Sequence, residues 1–145
     1  MIRIFLAVGL VVFSCAARAQ ASHACDLVKR EAIESAAGVA LKDGRKVLAN
    51  CVYDSAAGKG QVVVQVRFRG DRLADFDDRK KAMQLAGGTL APVGGVGDEA
   101  SWAAGPDHLI VRKAGHVVDI DPGPGKAPAR ERAIAIAKTL VAALP

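Results

Sequence analysis

The chain opens Met1-Ile2-Arg3, continues through an apolar run from Ile4 to Phe13, and reaches Ser14-Cys15-Ala16-Ala17-Arg18-Ala19. A basic start, an apolar stretch too short to span a bilayer as a mature helix, and small residues at Ala17 and Ala19 are the pattern of a secretory signal peptide. Cleavage after Ala19 makes residues 1–19 a leader and leaves residues 20–145, enough for a single domain that folds outside the cytoplasm, periplasmic or secreted. The formal net charge of +5 loses Arg3 and Arg18 and no acid, leaving +3. Nucleic-acid modules cluster Lys and Arg around aromatic stacking platforms, and aromatics make up only 4% of this chain, so nucleic acid is not expected as a partner.

Cysteine usage follows from that compartment. Cys15 is a candidate lipidation site, which would tie the protein to a membrane. Lipoprotein leaders carry Leu and then a small residue where this chain has Val12 and Phe13, whereas Ala17-Arg18-Ala19 suits ordinary cleavage, so Cys15 is expected to leave with the leader. That leaves Cys25 and Cys51, an even count in an oxidising environment and therefore an expected structural disulfide. A metal site would need further Cys or His at short spacing, and only His23 lies near.

Periodicity places the elements. Asp26 to Gly38 has Leu27, Ile33 and Ala37 at near-helical spacing and a glycine to end the helix. Val39 to Leu48 reads as a connector, followed by strands over Asn50–Asp54 and Gln61–Arg69 around a loop of small residues. In the second strand Val62, Val64, Val66 and Phe68 alternate with Gln61, Val63, Gln65, Arg67 and Arg69, which predicts one buried and one wet face. Asp75 to Ala86 predicts a helix with Asp75 as N-cap and acids before bases, as the helix dipole favours. Thr89 to Gly97 is broken by Pro92 and three glycines into a bent loop or edge strand, and Glu99 to Ala103 runs extended through Trp102. His108–Lys113 and His116–Asp121 flank Ala114-Gly115 as a tight hairpin, with Leu109 and Val111 on one face and Ile110 on the other, so this pair should be covered on both sides. A last helix spans about Ala129 to Leu144, with Ile134, Ala137, Leu140, Val141 and Leu144 as its apolar stripe. The expected fold is α+β: a mostly antiparallel sheet of about five strands with an N-terminal, a middle and a C-terminal helix.

Chemistry-bearing patterns are sparse. Gly95-Val96-Gly97-Asp98-Glu99-Ala100 matches a dinucleotide fingerprint in letters, but it lacks the preceding buried strand and following helix, so it reads as a turn and no cofactor is expected. Gly58-Lys59-Gly60 lacks the spacing of a phosphate loop. Asp119 and Asp121 alternate onto one face, where a cation or a carboxylate pair is conceivable, but a solvated strand end is the usual meaning. His108 and His116 would face each other across the hairpin as exposed strand residues. Trp102, the sole tryptophan, anchors either the core or a partner. If exposed, it joins Arg67, Arg69 and Arg72 as a candidate binding surface for an anionic group.

Several of these elements resemble a pattern in small secreted or lipid-anchored bacterial domains of unknown function, some with a PsbP-like α+β fold. They are Cys25 before a helix ending at Gly38, Cys51 before Tyr53, the Val93–Ala100 turn before Trp102, and the closing amphipathic helix. The resemblance implies a PsbP-like, non-enzymatic envelope module with no catalytic residues to carry over. The function expected is therefore a non-catalytic module that binds a protein or an anionic envelope component through one sheet face. Two alternatives are a small metal-dependent hydrolase using the Asp119, Asp121, His108 and His116 region, and an inhibitor or immunity protein of a secreted enzyme.

Overall fold

A computed structural model describes residues 23–145; the leader and Cys15 lie outside the described residues. The chain begins with a 3-10 turn, Ala24–Asp26, and then α1, Arg30–Ala37, which ends on Gly38 in the left-handed conformation. The helix expected from Asp26 is thus split in two. Lys29 takes up an extended backbone between the pieces, while Cys25 on the first is tied to Cys51 by a disulfide with Cα atoms 5.1 Å apart.

Strands β1 (Arg45–Val47), β2 (Asn50–Asp54) and β3 (Gln61–Arg67) follow, then α2 (Phe76–Leu85), β4 (Thr89–Pro92), β5 (Glu99–Ala104), β6 (His108–Lys113), β7 (His116–Asp121) and α3 (Ala129–Ala143). They form one antiparallel sheet in the order β1-β2-β3-β7-β6-β5-β4. Among the described residues the sheet therefore has seven strands, not about five. The two additional strands are its edges. β1 is three residues of a stretch whose Arg45 and Lys46 read as connector, and β4 lies inside the segment that Pro92 and its glycines break up. Short, charged or proline-bearing strands are what edges tolerate, because their outer hydrogen-bonding groups stay unpaired. At the β4 edge the Pro92 carbonyl accepts a hydrogen bond from Arg130, at 3.3 Å.

Strand alternation sends side chains to two unequal cores. On one face Val62, Val64 and Val66 of β3 join Tyr53, Leu109, Val111, Val118 and Ile120 beneath Ile33 of α1 and Ala133, Ile136, Ala137 and Leu140 of α3. The apolar stripe of α3 is rotated from the expected one: Ile136 and Ala133 are fully buried, while Ile134, Val141 and Leu144 flank the contact. Trp102 belongs to this core, 7% exposed and paired across strands with Leu109, so it does not serve as an exposed binding residue. On the other face Phe76 and Met83 of α2 cover Ala103, Ile110 and Val117. The hairpin β6–β7 is covered on both sides, as its apolar pattern implies.

Gly97 has a φ of +63°, and a Cβ there would fall 2.6 Å from the Arg112 carbonyl oxygen. The adjacent Asp98 carboxylate accepts hydrogen bonds from the Ala114 N–H and the Lys113 ammonium. The glycine loop is thus docked against the β6–β7 turn, which gives Gly97 a packing role.

Candidate functional site

Helix α2 packs on β4, β5 and β6 and reaches Val117 of β7, so the side chains that β2, β3 and the rest of β7 present on the same face have no helix packed over them. They line a cleft of about 220 Å³ with Asn50, Val63, Gln65, Arg67, Asp119 and Asp121 from those strands, Arg79 from α2 and His108 from β6. Register brings them together: Asn50 lies opposite Gln65, and Gln65 in turn opposite Asp119, across three adjacent strands.

At the base of the cleft Asp119 is 5% exposed. Its Oδ2 accepts from Nε and Nη2 of Arg79, and its Oδ1 accepts from Nδ1 of His108 at 2.9 Å. A buried carboxylate is tolerated only with such partners, and here one comes from the helix and one from the neighbouring strand. The hydrogen bond that His108 donates to Asp119 raises the pKa of His108 above its ordinary value of 6.5; burial opposes this, the charges of Asp119 and Asp121 reinforce it, and Arg79 opposes it. A raised folded-state pKa means that the pair's stabilisation is complete below the unfolded value and is lost as pH rises through the folded one. Urea titrations from about pH 6 upward should therefore show stability falling through neutrality, with the slope reduced in His108→Gln. An identical slope in that variant would show that the pair is not the source.

The cleft departs from the sequence reading in four places. Asp119 and Asp121 share a face as alternation requires, but Asp119 is a buried ion-pair partner and not a solvated strand end; Asp121 is half-buried, its Oδ1 accepting from the Gly123 N–H at 2.9 Å. His108 and His116 do not face each other. Ala114 and Gly115 both adopt positive φ in a two-residue turn, which pairs Lys113 with His116 and Leu109 with Ile120, and so sends the two histidines to opposite faces. His116 is buried, its Nδ1 accepting from the Arg69 N–H at 3.0 Å and its ring edge-on to Phe68, so it cannot join Asp119, Asp121 and His108 in one site. The expected strip of Arg67, Arg69 and Arg72 is also divided: Arg67 lines the cleft, Arg69 passes the end of β3 to lie against Gly115, and Arg72 is exposed in the turn before α2.

Arg79, Asn50 and Gln65 line the cleft and are absent from the residues expected there. Arg79 carried a signal, for it stands three residues after Phe76 and four before Met83 and so shares the buried side of α2. Among the described residues no three His, Cys, Asp or Glu side chains are grouped so as to hold a metal ion. No family model, curated protein or solved structure matches the chain.

Proposed function

We propose that the protein is a non-catalytic module acting in the periplasm or after secretion, and that it binds a protein or an anionic envelope component through the half of its sheet that α2 leaves open. The observation that supports this most is the polar cleft itself: arginine, amide and carboxylate side chains converge on a sheet face where a helix could have covered apolar ones. The disulfide and the leader pattern support the compartment. No helix among the described residues is long and apolar enough to cross a membrane. A relationship to PsbP-like domains belongs to the same proposal, supported by an antiparallel sheet with its larger core under an N-terminal and a C-terminal helix.

A photo-crosslinking residue placed at Gln65 should form adducts in the cell envelope, whereas one at the exposed Lys138 on α3 should not. Equal yields from both positions, or none from Gln65, would refute the assignment. A small hydrolase, metal-dependent or not, is the second candidate, because His108 is held at Nδ1 by a buried carboxylate in the manner of an oriented general base. Stoichiometric metal in the purified protein that disappears in Asp119→Asn would favour it instead.

A further inference from the structure

We infer that the ligand group taken by this cleft is an oxyanion, a carboxylate or a phosphate, received chiefly by Arg67; this rests on the open sheet half being the binding surface. The inference follows from which hydrogen-bonding groups in the cleft are already engaged. Both oxygens of Asp119 are taken by Arg79 and His108. One oxygen of Asp121 is held by Gly123. The Gln65 side-chain amide donates to the Asn50 carbonyl oxygen at 2.8 Å. The acceptors left are the second oxygen of Asp121, the Gln65 carbonyl oxygen and, when His108 is neutral, its Nε2.

The donors left are far more numerous. Among the described residues Arg67 makes one ion pair, with Asp71 at 3.8 Å, too long for a hydrogen bond, so its guanidinium keeps its donors free. The Asn50 amide nitrogen, the second N–H of Gln65 and Nη1 of Arg79 add to them, and so does Nε2 of His108 when protonated. A site rich in donors and poor in acceptors recognises groups that only accept, and a guanidinium fork matches the two oxygens of a carboxylate or phosphate.

Charge and size refine the class. Arg79 and protonated His108 outweigh the Asp119 carboxylate between them, and Arg67 adds a cation, while Asp121 and Asp71 oppose an anion from the rim. That near-balance favours one compact oxyanion over a polyanion. A volume of about 220 Å³ lies below the roughly 300–1,000 Å³ of drug-sized ligand pockets, so the cleft takes a terminal group whose remainder extends along the open sheet.

Titration of isotopically labelled protein with inorganic phosphate and, separately, with sodium acetate should shift the amide resonances of Asn50, Gln65 and Arg67 saturably. Arg67→Gln should weaken the response about tenfold or more, and Arg72→Gln, outside the cleft, should not. Saturation by phosphate alone identifies a phosphoryl ligand, by acetate alone a carboxylate, and either outcome sustains the inference. Unmoved cleft resonances, or equal affinity in Arg67→Gln, would overturn it. Adducts persisting at Gln65 in that event would leave the binding face in place with a neutral ligand; loss of both signals would remove the face as well.

Discussion

Replacing Asp119 with alanine is expected to lower the unfolding free energy by about 3 kcal/mol, because it strips a buried ion from two cations that remain. The carboxylate side chain is 6% exposed, whereas Arg79 and His108 are 31% and 26% exposed and gain some solvent once released, which keeps the loss from the top of the range for a broken buried pair. Asp119→Asn, which preserves shape and one acceptor oxygen, should cost less. The loss should not be spread evenly over the molecule. Beside Phe76 and Met83, Arg79 is the main hold that α2 has on the sheet, so the amides of α2 should exchange faster in the variant while those of α3 hardly change. Urea denaturation and amide exchange measure the two effects. A destabilisation within about 0.5 kcal/mol would show that Asp119 is not holding the helix to the strand.

Loss of the disulfide should have a comparable effect by another route. Cys25 and Cys51 are 26 positions apart in sequence, and in the chain-entropy description closing a loop of that length stabilises the fold by about 3 kcal/mol. Replacing both with serine should lower the melting temperature by roughly 10 °C in a domain of this size. Fraying should begin at the 3-10 turn and α1, since the bond fastens that corner to β2, where Cys51 is fully buried. An unchanged melting curve would mean that packing of Ile33 and Ala37 alone secures it.

Features set by nearby residues were legible in the sequence. Asp75 caps α2, accepting from the Asp78 N–H at 2.9 Å, because a short acceptor before an acidic first turn needs no distant partner. The alternation of β3 and the two-sided hairpin β6–β7 likewise carry their burial in their own spacing. Edge strands carried less: the three residues of β1 look like a connector until a neighbour supplies the pairing, and the proline of β4 leaves its segment readable either as a bent loop or as the edge strand that it is. The separation of His108 from His116 was within reach, since a two-residue loop fixes which positions share a face. The burial of Asp119 was not, because nothing local to β7 announces an arginine from a helix forty positions earlier.

The placement of β7 between β3 and β6 bears on how the domain assembles. Its pairing of Val64 with Ile120, 56 positions later (120 − 64), joins the two halves of the sheet, a closure with a substantial loop-entropy cost. Until β7 is available, β3 keeps an open edge carrying the valines that later become core, a surface prone to pairing with other chains. The middle of the sheet can be built only when nearly all of the polypeptide is present, so folding nucleated at the N-terminal hairpins has to wait for the C-terminal third, and a chain truncated before His116 would expose its most adhesive strand.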